Sequence, residues 1–215
     1  MKKTIILMLI AIVSMVYVSN AASTDSREVF HIGVKMGSNY SNVYNSEGEE
    51  FDADAKFGLA LGAFVAIPFG TFIGFQPEIL FSQKGFQGSG KVIGMDYSFT
   101  RTSSYIAIPL LVAIKPNRLL TVLVGPQYSY LVKQQNTFTS DIYNNDVEEE
   151  FKNENIQKNI LSFTGGVDIN VTHFIFGARV GMDFTNNNGD GTSTTPRYKN
   201  VWGQLTFGID LTPFY

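Results

Sequence analysis

The stretch Ile73-Gly74-Phe75-Gln76-Pro77-Glu78-Ile79-Leu80-Phe81-Ser82 decides the fold. Its odd positions, Ile73, Phe75, Pro77, Ile79 and Phe81, are all apolar. Its even positions, Gly74, Gln76, Glu78 and Ser82, are small or polar, with Leu80 the exception. A period of two belongs to a strand with two unlike faces. One face suits hydrocarbon and the other carries a carboxylate. A bilayer admits only helices or closed barrels, because every backbone polar group in it must be satisfied internally.

The same pattern recurs along the chain and predicts strands near residues 29–40, 56–67, 73–84, 97–115, 119–133, 159–171, 173–184 and 200–215. Phe30, Ile32, Val34 and Met36 share one face of the first, and Leu120, Val122, Val124, Pro126, Tyr128, Tyr130 and Val132 one face of the fifth. The fourth is apolar on both faces between Tyr105 and Ile114, so its orientation is open. Short steps at Pro68–Thr71, Pro116–Arg118 and Thr172 alternate with long polar connections at residues 40–55, 85–96, 134–158 and 185–199. Short periplasmic turns and long external loops are the arrangement of outer-membrane barrels, and eight is the smallest usual strand count. The expectation is therefore an all-β, eight-stranded antiparallel up-and-down transmembrane β-barrel. A soluble ligand-carrying barrel would turn its apolar face inward. Here the second face holds Lys35, Gln76, Glu78, Gln127, Asp168, Arg179, Asp183, Gln204 and Asp210, too polar for an apolar cavity.

The N-terminus supports export. Lys2 and Lys3 precede an apolar run from Ile5 to Val18 and then Ser19-Asn20-Ala21-Ala22, the order of a cleaved signal peptide. The run is short for a spanning helix, which needs roughly 20 apolar residues. The expected organisation is a signal peptide over residues 1–21 and one barrel domain over residues 22–215. The absence of cysteine excludes disulfides, thiol catalysis and a cysteine-linked lipid anchor. The net charge of −3 argues against nucleic acid as a partner.

Five inward positions, Lys35, Glu78, Asp168, Arg179 and Asp210, form the expected interior polar cluster. Eight-stranded barrels are filled by side chains, and buried charges must be paired, so the cluster reads as a plug; the alternative is a narrow charge-lined conduit. His31 and His173 should lie near the periplasmic rim, but no serine motif accompanies either, so no catalytic residue is assigned. Asn186-Asn187-Asn188-Gly189-Asp190-Gly191 lacks the full calcium-loop spacing and reads as a turn-rich loop, so neither metal nor cofactor is expected. The acidic connections at residues 41–55 and 134–158 read as solvated loops, with divalent-cation bridging to anionic lipopolysaccharide, or docking of a basic partner, as the alternative. Tyr215 ends the chain in phase with Phe207 and Leu211, the pattern expected of a C-terminal signal for the barrel assembly machinery.

Four segments resemble the PorT-like outer-membrane β-barrel family of Bacteroidetes-type bacteria. They are residues 31–42 (His31-Ile32-Gly33-Val34-Lys35-Met36-Gly37-Ser38-Asn39-Tyr40-Ser41-Asn42), 74–85 (Gly74-Phe75-Gln76-Pro77-Glu78 through Ser82-Gln83-Lys84-Gly85), 105–111 (Tyr105-Ile106-Ala107-Ile108-Pro109-Leu110-Leu111) and 124–128 (Val124-Gly125-Pro126-Gln127-Tyr128). Ala107 departs from the family pattern, which places an inward Glu there, so any network around Glu78 must be built differently. The resemblance implies an outer-membrane location and a non-enzymatic role in protein secretion or surface assembly. The expectation for the whole chain is a monomeric barrel whose partners are outer-membrane lipid, the assembly machinery during biogenesis, and a secretion or surface protein. A rim enzyme acting on lipid or peptide is the more distant alternative.

Overall fold

The computed structural model describes residues 25–47, 53–92, 95–140, 144–149, 156–187 and 197–212. The segment expected to be a signal peptide, Tyr215, Asn188–Gly191 and the acidic residues Glu49, Glu50, Asp52, Asp141, Glu150 and Glu154 lie outside these. The strands are β1 (His31–Glu47), β2 (Asp54–Pro68), β3 (Ile73–Val92), β4 (Met95–Ile114), β5 (Leu120–Ser140), β6 (Asn144–Glu149), β7 (Asn159–Val171), β8 (Phe174–Asp183) and β9 (Arg197–Asp210). All pair antiparallel, and β9 returns to β1 through Gly33↔Asp210 and eleven further residue pairs up to Tyr44↔Lys199 before the register shifts. With β4 also paired to β5, eight strands close a barrel and β6 folds back on the upper part of β5. Closure leaves no open sheet edge in the wall, which is what a bilayer requires.

The alternation places apolar side chains outside and polar ones inside. β8 alternates exposed and buried at every residue, with Phe174, Phe176, Val180 and Met182 outward. In β4 the odd row turns inward: Leu111 and Ala113 are fully buried with Leu123 of β5, a small dry packet inside the wall. Ile108, Leu110 and Val112 take the outer row. Phe30 was expected to face outward with Ile32 and is instead buried, at 6% exposure. It precedes the first paired residue, His31↔Ala66, so the pleat does not fix its direction.

The connections differ at the two ends. At one end β7 and β8 are joined by Thr172-His173 alone, with Thr172 at φ 56°, the positive value a tight hairpin demands. At the other, much of the sequence expected to be loop is strand. β3 and β4 run unbroken through Gly85–Val92 and Met95–Phe99, with paired residues as far as Val92↔Met95. β5 runs on to Ser140 and pairs with β6 through Thr139↔Asn144. Above the bilayer the outer face of a strand meets water instead of lipid, while the inner face still holds buried side chains such as Phe86 and Arg101, so the contrast of faces that marks a membrane strand is lost.

Candidate functional site

The lumen is filled in layers. In the lowest, Lys35 of β1, Glu78 of β3, Asp168 of β7 and Arg179 of β8 meet on the barrel axis, each no more than 5% exposed. Arg179 donates twice to Glu78, Nη1 to Oε2 at 2.6 Å and Nη2 to Oε1 at 2.8 Å. Lys35 Nζ donates to Glu78 Oε1 at 2.9 Å and lies 3.6 Å from Asp168 Oδ2. Arg179 Nη2 also reaches Asp168 Oδ2 at 3.3 Å, and Gln76 Nε2 donates to Glu78 Oε1 at 2.9 Å. Two cations and two carboxylates cancel, which is the condition under which charge is tolerated in a dry interior. The forked guanidinium matches the carboxylate in plane and fixes its orientation. Small residues make the room: a Cβ on Gly177 would stand 2.7 Å from Asp168 Oδ1, and one on Gly166 would stand 2.7 Å from Arg179 Cγ.

Of the five residues singled out in the sequence, these four come together and Asp210 does not. Asp210 is the last residue of β9, at the rim, where its Oδ2 lies 2.6 Å from His31 Nδ1. The other ring nitrogen of His31 is 2.8 Å from the Ser26 carbonyl oxygen. Ala107 is fully buried on the inner face, and Glu78 draws its partners from β1, β3 and β8 instead. Phe207 and Leu211 lie on the outer face, exposed to 37% and 57%.

A second layer was not foreseen. Lys84 Nζ sits 3.2 Å from the centroid of the Trp202 ring and 3.6 Å from Asp183 Oδ1. Asp183 also accepts from Ser162 Oγ at 2.6 Å and Asn200 Nδ2 at 2.7 Å. Gly181 lies beneath the indole: a Cβ there would come within 2.3 Å of the ring. Higher still, Arg101 packs among the rings of Phe86, Phe99 and Tyr198 at 5.6–5.8 Å and donates from Nε to Asn136 at 2.7 Å. Of these residues only Asp183 stood in the inward row of the sequence; Phe86, Asn136 and Tyr198 lie in stretches expected to be loop. Their partners depend on strand stagger, which sequence periodicity does not report.

Below the ion cluster a vestibule of about 190 Å³ opens to the short-turn end, lined by Phe64, Gln76, Lys115, Thr121, Asp168 and Asp210 among others. The N-terminal turn Ser26–Glu28 crosses its mouth, with Lys115 Nζ donating to the Arg27 carbonyl at 3.0 Å. The Arg27 side chain, donating to the Asp25 carboxylate at 2.8 and 3.2 Å, holds that carboxyl below the usual range, and burial pulls the Lys115 ammonium down. No group of three or more metal-ligating side chains occurs among the described residues.

The family model of the outer membrane protein beta-barrel domain matches residues 21–189. Among solved structures, the chain is similar to Ail, the attachment invasion locus protein of Yersinia pestis, at 14% identity over 83% of this chain and 98% of that one, TM-score 0.40. It is similar to Neisserial surface protein A at 9% identity over 83% and 96%, TM-score 0.49. It is similar to the outer membrane protein OprG of Pseudomonas aeruginosa at 15% identity over 86% and 96%, TM-score 0.33. No curated protein matches the chain.

Proposed function

The chain belongs to the outer membrane protein beta-barrel domain family, and from that premise we propose that it is a closed, non-conducting barrel whose role is structural and interactive, in protein secretion or surface assembly. The observation that carries this reading is the neutral four-residue cluster spanning the lumen, Lys35 and Arg179 on Glu78 and Asp168. Side chains paired this tightly across the lumen fill the space a hydrated ion would need. Function then falls to the surfaces outside the plug: the external hairpins β3–β4 and β5–β6, the periplasmic rim and the outer wall. The resemblance to the PorT-like family supports the secretion role.

A conduit is the second reading, favoured by the vestibule, which already forms an aqueous entrance from one side. Single-channel recording in a planar bilayer separates the two. The closed barrel gives no steps, and Glu78→Ala, which unties the plug, gives them. Regular steps from the unaltered protein would establish the conduit. Mass spectrometry of what co-purifies with the detergent-extracted protein tests the assembly role, and a bare monomeric barrel would count against it.

A further inference from the structure

The outer wall is not uniform. One registered row crosses five strands as Gly165↔Val180↔Gly203↔Tyr40↔Phe57. In it the two glycines leave a groove of about 410 Å³, walled by Tyr40, Phe57, Val180 and Leu205. Phe57, Val180 and Leu205 stand 71%, 67% and 69% exposed, so they rise as ridges beside the floor.

The barrel's own packing does not require glycine at these two positions. A Cβ on Gly37, Gly62 or Gly125 would come within 1.9–2.1 Å of a neighbouring carbonyl oxygen, which forces those glycines. A Cβ on Gly203 would meet nothing nearer than 3.9 Å, and on Gly165 nothing nearer than 3.6 Å. No register shift interrupts β7–β8 or β8–β9, so neither marks a bulge. Glycine inside a strand weakens it, and where neither a bulge nor crowding explains it, close approach of something else does.

The level of the groove identifies the occupant. Tyr40 is nine residues above His31, about 30 Å along the strand. At a tilt of about 40° that is roughly 23 Å in height, near the external edge of the ~25 Å apolar band. Lys199 lies on the same outward row of β9 as Gly203, four residues higher, about 13 Å along the strand and at the same tilt about 10 Å further out. It forms no ion pair with another described residue. Hydrocarbon-lined below and cationic above, and continuous with the lipid-facing belt, the groove fits one molecule. We propose that it is a specific seat for an anionic membrane lipid of the external leaflet, one acyl chain lying over Gly165 and Gly203 and the phosphate on Lys199.

Native mass spectrometry of the barrel, exchanged into equal phosphatidylglycerol and phosphatidylcholine, tests this. One phosphatidylglycerol should stay bound per barrel, preferred by roughly fivefold, the effect of about 1 kcal/mol for one lysine at a membrane surface. Lys199→Gln should bring the two lipids level. Gly203→Leu, filling the floor, should lower retention of both by roughly tenfold while heat-modifiable gel migration still reports a folded barrel; Gly165→Leu serves if that variant does not fold. Undiminished retention in the filled variants, no lipid preference in the unaltered protein, or a dimer that Gly203→Leu dissolves would each overturn the assignment.

Discussion

Glu78 is held by three donors, Lys35, Gln76 and Arg179, from three strands. Removing its carboxylate leaves two cations buried without it. Glu78→Ala should therefore cost about 3–5 kcal/mol, the range for breaking a buried ion pair from one side. Urea unfolding in lipid vesicles measures this, and a loss under 1 kcal/mol would mean that water already reaches the cluster. The single tryptophan reports on the layer above. Gly181→Val should push the Trp202 ring off the wall and away from Lys84, changing its fluorescence, whereas Gly203→Ala should not. Outside the barrel, the Arg27 pair depresses the Asp25 carboxyl. A carboxyl with a lowered folded pKa contributes stability above its unfolded value and loses it as pH falls through the folded one. The Arg27 amide, which donates to Asp25 Oδ1 at 2.9 Å, should thus show a flat NMR shift from pH 5 to 3 and move only in stronger acid. A midpoint near 4 would show the N-terminal turn undocked.

At the scale of the strand, the two-residue period settled which face meets lipid wherever only one face is apolar. Met36, 56% exposed, and Leu119, 61% exposed, make a paired test because one stands within β1 and the other in the β4–β5 turn. Met36→Arg should cost about 2–4 kcal/mol and Leu119→Arg about 0–1 kcal/mol, following depth in the bilayer. Equal costs by unfolding titration would move the membrane boundary. Lys35, Glu78, Asp168 and Arg179 were legible as inward charges from phase alone. Their meeting was a matter of charge balance in a narrow lumen. Asp210 shares their phase but stands at the end of β9, where His31 is nearer than the axis, and phase carries no height. The continued hairpins of β3–β4 and β5–β6 were illegible for a different reason. Their outer face meets water and is polar, so the alternation against a lipid face that marks the membrane part of a strand is missing even where the inner face is packed, as at Phe86.

At the scale of the whole molecule, delivery to the membrane is a separate question from stability. We propose that Phe207 and Leu211 on the outer face, with Tyr215 beyond them, are read by the assembly machinery. Tyr215→Asp should lower the amount of barrel recovered from outer membranes several-fold without changing the unfolding of what is recovered. Unchanged yield would remove that role. The ion cluster has a consequence for how the barrel is made. Glu78 and Arg179 are 101 positions apart, and Lys35 must wait for Asp168 across most of the chain. A half-built cylinder holds one cation and one anion on each arc, Lys35 with Glu78 on β1–β3 and Asp168 with Arg179 on β7–β8, both pairs still open to solvent and so worth little. Each strand added before the last therefore gains little from the cluster. The final seam between β9 and β1 releases that gain at once, which makes completion of the ring the committing event and leaves a partly curled sheet free to open again.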